Sequence, residues 1–156
     1  MEEEKYKSVL SSLQRSCVKR EHCRQDIYRK ALKAADGDLE TAQKMVEELV
    51  ADRFVDDARY AAAFAREKAS LSGWGRVKIS YTLRGKGISR EDIDAALLEV
   101  DEGSAGERLE KLLRGKWAVL QEDPYGKFKL IKYALTRGYE YNDELVGLGE
   151  KIVKGL

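Results

Sequence analysis

The chain is 156 residues long, 37% charged, and carries a formal net charge of +1, so bulk charge singles out no class of partner. The start MEEEKYKSVL is too polar for a signal peptide, and no apolar run reaches the roughly 20 residues that span a bilayer; the expectation is a cytoplasmic chain with no membrane contact. One proline leaves long helices with few forced breaks, and the length admits either one domain or several modules of about fifty residues, each too small to be stable without a neighbour.

In chain order, Cys17 and Cys23 come first, six residues apart, beside His22, the one histidine. The spacing is not C-x-x-C and the ligands are too few for a four-coordinate metal, so no metal and no cofactor is expected, and both cysteines read as reduced thiols near a helix packing face. Residues 24–37, RQDIYRKALKAADG, read as a basic helix with apolar positions at Ile27, Ala31 and Leu32, closed by Gly37. Asp38 is placed to cap the next helix, whose apolar stripe is Leu39, Ala42, Val46, Leu49 and Val50. After Phe54 and Val55, Asp56 can cap a helix carrying Tyr60, Phe64 and Leu71 on one face, with alanines at 58, 61, 62, 63 and 65 that permit close backbone approach. Ser-Gly-Trp-Gly at 72–75 breaks that helix; Trp74 reads as a packing anchor, the alternative being a base-stacking residue.

Helix 76–86 follows, with Ile79 and Leu83 toward the core, Val77 and Tyr81 as a second contact line, and Gly87 as its stop. Ser89 with Asp92 resembles a capping box for a helix with Ile93, Leu97 and Val100 buried. Gly103 interrupts, then Leu109, Leu112, Leu113, Trp117 and Leu120 resume a helical pattern. Pro124 opens helix 127–137, and Leu145, Leu148 and Ile152 mark the last element. No segment has the alternation of a strand, so the fold class is all-α, about nine helices in three groups of three.

The middle helices repeat. GRVKISYTLRGKGI (75–88) recurs fifty-one positions later as GKFKLIKYALTRGY (126–139), pairing Gly75 with Gly126, Arg76 with Lys127, Lys78 with Lys129, Ile79 with Leu130, Lys86 with Arg137 and Gly87 with Gly138. Residues 24–37 form a fainter copy, one residue further away when counted from Ile27 to Ile79. Charge follows the repeat: residues 66–90 hold seven Lys or Arg and one acid, Glu67, whereas 91–110 hold eight acids and one base, Arg108. Stacked copies would align like faces into a basic stripe, for which the candidates are Arg24, Lys30, Arg76, Lys78, Arg84, Lys86, Lys127, Lys129, Lys132 and Arg137. Such a stripe can track a phosphate backbone or an acidic protein groove; equally, charge runs are commonly solvated helix faces. Asp56–Asp57 lacks a titratable partner in sequence and no Ser, Cys or His constellation or phosphate loop is present, so no catalysis is expected.

The run FVDDARYAAAFAREKAS (54–70), then GWGRVKISYTLRGKGIS (73–89) and Ile93, Ala96 and Leu97, resembles the RecX family. The pattern is carried by Phe54, Asp56, Asp57, Arg59, Tyr60, Ala61, Phe64, Gly75, Ile79, Leu83, Lys86, Gly87 and Ile88; it is strongest over 54–97, thinner over 124–139 and weak before residue 50. The resemblance implies three tandem three-helix modules resembling helix-turn-helix repeats, at 1–54, 55–101 and 102–156, in an elongated, curved body. It implies a non-enzymatic regulator of RecA in DNA repair, homologous recombination and the SOS response. Such a protein binds the RecA–single-strand DNA filament and opposes its growth, ATPase and strand exchange. It also binds single- and double-stranded DNA more weakly, and a monomer is expected. The alternative is a general helical DNA-binding protein with no recombinase partner, although the acidic third helix EDIDAALLEV suits a phosphate-lined groove poorly. A protein–protein scaffold would leave the basic stripe without a role.

Overall fold

The computed structural model describes residues 1–100 and 102–156, the side chains at 102 and 103 excepted; Asp101, the expected end of the second module, lies outside the described residues. The described residues form nine helices and no strand: α1 (Glu3–Lys19), α2 (Arg24–Ala34), α3 (Leu39–Ala51), α4 (Asp57–Ser70), α5 (Arg76–Gly85), α6 (Arg90–Leu98), α7 (Glu102–Leu120), α8 (Gly126–Thr136) and α9 (Asp143–Val153). Four of the starts, those of α3, α4, α6 and α9, are set by short polar side chains that accept from otherwise unpaired amides. Asp38 accepts from the Thr41 N–H and hydroxyl, Asp56 from the Arg59 N–H, Ser89 Oγ from the Asp92 N–H, and Asn142 from the Leu145 N–H.

Two departures concern helix boundaries. Gly103 does not interrupt; α7 runs through it, because a glycine in a helix costs only about 1 kcal/mol while Leu109, Leu113 and Leu120 of the same helix are buried. Pro124 does not open α8 either: it lies in the preceding turn, and Tyr125 is the N-cap residue.

The chain divides into two compact units. One comprises Met1–Ala63 with Leu83–Ala96, the other Phe64–Thr82 with Leu97–Leu156. The core of the first gathers Leu13 and Cys17 of α1, Ile27 and Ala31 of α2, and Ala42, Met45, Val46 and Leu49 of α3, with Val55. In the second, Leu109, Leu113 and Leu120 of α7 meet Leu130 and Ala134 of α8 and Leu145 and Ile152 of α9. All three copies of the repeat place an apolar pair inside: Ile27 and Ala31, Ile79 and Leu83, and Leu130 and Ala134 are at most 1% exposed. Ile93, Leu97 and Val100 are buried as expected, and so are the free thiols Cys17 and Cys23.

The outward faces differ from expectation. Residues 77 and 81 each lie two positions from a buried residue of α5, about 200° around the helix, so Val77 and Tyr81 face water instead of forming a second contact line. The innermost positions of α4 are alanines, Ala61, Ala65 and Ala69; Tyr60 and Phe64 sit one residue away and are only half-buried. Leu71 follows the end of α4 and is exposed, as is Leu39 in the first turn of α3.

The repeated glycines have a steric cause. In the second unit, the turn closing α8 lies against the start of α5: the Gly75 N–H donates to Arg137 O (2.8 Å) and the Val77 N–H to Gly138 O (3.0 Å). Arg137 Nη1 donates to Ser72 O (3.3 Å) and Tyr139 Oη to Gly73 O (3.0 Å). A Cβ on Gly75 would overlap the Gly138 carbonyl, and one on Gly138, which sits at φ +93°, would overlap Cβ and the amide nitrogen of Lys78. The first unit contains the corresponding contact one copy earlier. There Gly87, closing α5, approaches Gln25 near the start of α2, and Lys86 Nζ donates to Asp26 (2.9 Å). The first amide of α2, that of Arg24, donates to Asp57 (2.8 Å).

Gly75→Ala and Gly138→Ala should therefore each destabilise the fold by about 2–3 kcal/mol or more, whereas Gly115→Ala, in α7 with open space around it, should gain roughly 0.5–1 kcal/mol. Denaturant melts of the three variants distinguish these signs, and equal midpoints would refute the docking argument.

The Lys86–Asp26 pair predicts a pH signature. Burial pushes the Asp26 carboxyl up, but hydrogen bonds from Lys86 and Cys23 with the charges of Lys86 and Arg29 hold it below its ordinary value. A depressed acid stabilises the fold above its unfolded pKa, about 3.9, and loses that contribution as pH falls through its folded value. The stability gap between the parent and Asp26→Asn should be constant from neutrality to about pH 5 and shrink below about pH 4. Urea midpoints across that range check this; a gap unchanged down to about pH 2 would contradict it.

Candidate nucleic-acid interface

The ten basic positions singled out in the sequence fall into three environments. Lys86 and Arg137, paired by the repeat register, are half-buried and held by the contacts just described. Arg137 also lies over the Tyr133 ring at 5.2 Å. Lys86 is raised above the ordinary lysine value, chiefly by its bond to Asp26. These two positions build the fold.

Three more have local partners. Lys78 Nζ sits 4.3 Å over the Trp74 ring, Lys127 pairs with Glu150 at 3.4 Å, and Lys129 with Asp123 at 2.5 Å. The last pair holds the Asp123 carboxyl below its usual value, the Lys129 hydrogen bond being the main cause. Arg24, Lys30, Arg84 and Lys132 are exposed and make no ion pair among the described residues; Arg76 is exposed as well. Arg24, Lys30, Arg84 and Lys132 are the ones whose charge solvent and a partner can reach.

A second basic surface lies on α7, whose residues 111–116, KLLRGK, carry three bases and no acid just past the acidic run 91–110. In the second unit, Arg108, Lys111 and Lys116 of α7 line a groove with Arg137, Tyr133 and the segment Ser70–Gly73. Among the described residues, four cations and no carboxylate line it. Lys116 lies 5.1 Å over the Tyr133 ring, and Arg108 Nε is buried with no hydrogen-bond partner among the described residues. Glu110 is instead engaged with Arg114 at 2.9 Å. The signal is present as i, i+3, i+4 spacing through 108, 111, 112, 115, 116 and 119, on a segment outside the repeated basic helices.

Aromatic side chains divide similarly. Trp74 is a packing residue: its ring meets Phe64 edge-on at 6.0 Å and lies under both Lys68 and Lys78. Tyr125, Phe128 and Tyr141 of the second unit are instead exposed, and no sequence pattern singles them out. The conspicuous acid pair serves as caps, Asp56 on α4 and Asp57 on α2. Burial, the largest influence, pushes the Asp57 carboxyl up against the Arg24 amide that it accepts. Arg59 secures the same corner, pairing with Glu21 and donating to the carbonyls of Arg53 (3.1 Å) and Phe54 (3.3 Å). This explains why Asp-Asp-x-Arg forms a unit: it ties the end of α3, the start of α4 and the start of α2 together. Among the described residues no group of three His, Cys, Asp or Glu is placed to hold a metal, and no helix is long and apolar enough to cross a membrane.

Comparison with known proteins agrees with this architecture. A profile described as "RecX, second three-helix domain" matches residues 56–97. Regulatory protein RecX of Xanthomonas axonopodis pv. citri is 37% identical over 128 residues, covering 80% of this chain and 76% of the relative. The same protein of Prosthecochloris aestuarii is 31% identical over 121 residues, covering 78% of each. The chain spans about half the length of its clostridial relatives, 53% of that from Clostridium beijerinckii. A crystal structure of regulatory protein RecX aligns with a TM-score of 0.79 at 23% identity, covering 97% of this chain and 72% of that one, a likeness of fold. Together with the all-helical repeat and the Asp-Asp-x-Arg corner, the extent and identity of these matches establish that the chain belongs to the RecX family.

Proposed function

We propose that this protein is a non-enzymatic regulator that binds the RecA–single-strand DNA filament and inhibits its growth, ATPase and strand exchange. The observation that carries the reading is family membership: relatives matched over most of their length are named regulatory protein RecX. Its physical support is a set of exposed cations on α2, α5 and α8 and an acid-free groove along α7, both suited to phosphate oxygens. In this reading the protein acts in the cytoplasm as a monomer of three modules, at 1–54, 55–101 and 102–156. It binds single- and double-stranded DNA weakly on its own, and needs no cofactor.

The decisive assay is the ATPase of RecA on single-stranded DNA with and without this protein; unchanged turnover at saturating protein would refute the proposal. Arg84→Gln, Lys111→Gln and Lys132→Gln should each weaken inhibition and flatten the salt dependence of DNA binding by about 0.7 log units per lost phosphate contact. Lys129→Gln should do less, because its charge is already held by Asp123. Variants that fold normally, keep the parent salt slope and still inhibit would mark these charges as solvated faces only.

A further inference from the structure

Helix α8 carries two faces of different chemistry. Leu130 and Ala134 point into the core, and the 3.6-residue period turns Phe128, Lys132 and Leu135 the other way. Phe128 is 70% exposed, as is Tyr125 just before the helix, and Tyr141, ahead of α9, is 69% exposed. The three aromatic residues line one groove with Ile131 and Val146. The charged residues lining it are Lys127 and Lys132, and no carboxylate does. Lys127 pairs with the solvent-exposed Glu150 at 3.4 Å, a pairing that water and salt readily replace.

An exposed aromatic cluster of this kind marks a contact surface, and its setting decides what fits. The occupant must offer flat apolar faces to the rings and negative charge to Lys127 and Lys132, which flank Phe128 and Ile131. Unpaired bases on a phosphodiester backbone meet both demands; a duplex hides the base faces, and a plain polyanion leaves the rings without partners. We infer that Tyr125, Phe128 and Tyr141 form a stacking platform for unpaired bases of single-stranded nucleic acid, with Lys127 and Lys132 on the phosphates. The inference deepens the proposed function and rests on it for the presence of a single strand.

The test uses the full chain without RecA, measuring fluorescence anisotropy of a labelled oligothymidylate, an abasic strand of equal length and a duplex. The parent should bind oligothymidylate most tightly. Phe128→Ala with Tyr141→Ala should lose at least about fivefold per aromatic on oligothymidylate, leaving abasic-strand affinity and salt slope unchanged. Phe128→Leu, which keeps apolar bulk without a π face, should lose the base preference, and Phe128→Trp should retain it. Lys132→Gln should weaken binding to both strands equally. Equal parent affinity for the thymidylate and abasic strands, or a base preference that survives loss of both aromatics, overturns the inference. If the aromatic variants bind DNA like the parent but fail to inhibit the RecA ATPase, the groove takes an acidic protein segment; the inference fails while the proposed function stands. A base preference that depends on the aromatics, in a protein with no effect on RecA, upholds the platform and refutes the proposed function.

Discussion

The second unit depends on one close passage of main chain. The carbonyls of Arg137 and Gly138 accept from the first amides of α5, and no side chain fits between the two backbones. A helix start otherwise leaves amides unpaired, and here the turn closing a later helix supplies their partners. That exchange fixes the register of α5 against the end of α8 to within one residue, since sliding either would drive a carbonyl into a Cβ or leave a buried amide unpaired. The corresponding contact in the first unit is looser and more electrostatic. Gly87 stands off Gln25, Lys86 reaches Asp26, and Asp57 supplies the oxygen that caps α2.

This arrangement separates two roles that sequence similarity merges. Lys86 and Arg137 share a register position, a basic character and half-burial, and both serve the contact with the preceding copy of the repeat. Recurrence of a charge in a repeat protein therefore marks a repeated neighbour as readily as a repeated ligand. The cations left to a partner lie elsewhere on the same helices, at Arg84 and Lys132, or on α7, where no repeat draws attention to them.

Alanine does similar work in α4. With Ala61, Ala65 and Ala69 innermost, the helix can lie close to its neighbours, and its larger residues, Tyr60 and Phe64, occupy the shoulders. There Phe64 supports Trp74, and Lys68 and Lys78 cover the same indole ring. The aromatic residue most visible in the sequence is thereby committed to packing, and apart from Tyr81 the exposed aromatic residues lie on α8 and its flanks.

Local chemistry was enough to read the all-helical class, the caps at Asp38, Asp56 and Ser89, the glycine stops at Gly37 and Gly87 and the inward positions Ile79, Leu83 and Leu97, because each is settled within one or two turns of chain. The repeat register was legible for the same reason, and it correctly paired the fully buried Ile79 and Leu130. What lay beyond that range required tertiary structure. Whether Val77, Tyr81 or Leu71 meets another helix depends on what stands opposite, which periodicity cannot supply. Whether a lysine is a partner's or the fold's depends on an acid as far away as Asp26 is from Lys86. The groove on α7 emerges only when its bases are set beside Ser72 and Arg137, segments that folding brings together. A sequence specifies its helices through neighbours along the chain; it specifies a surface only through the neighbours that folding supplies.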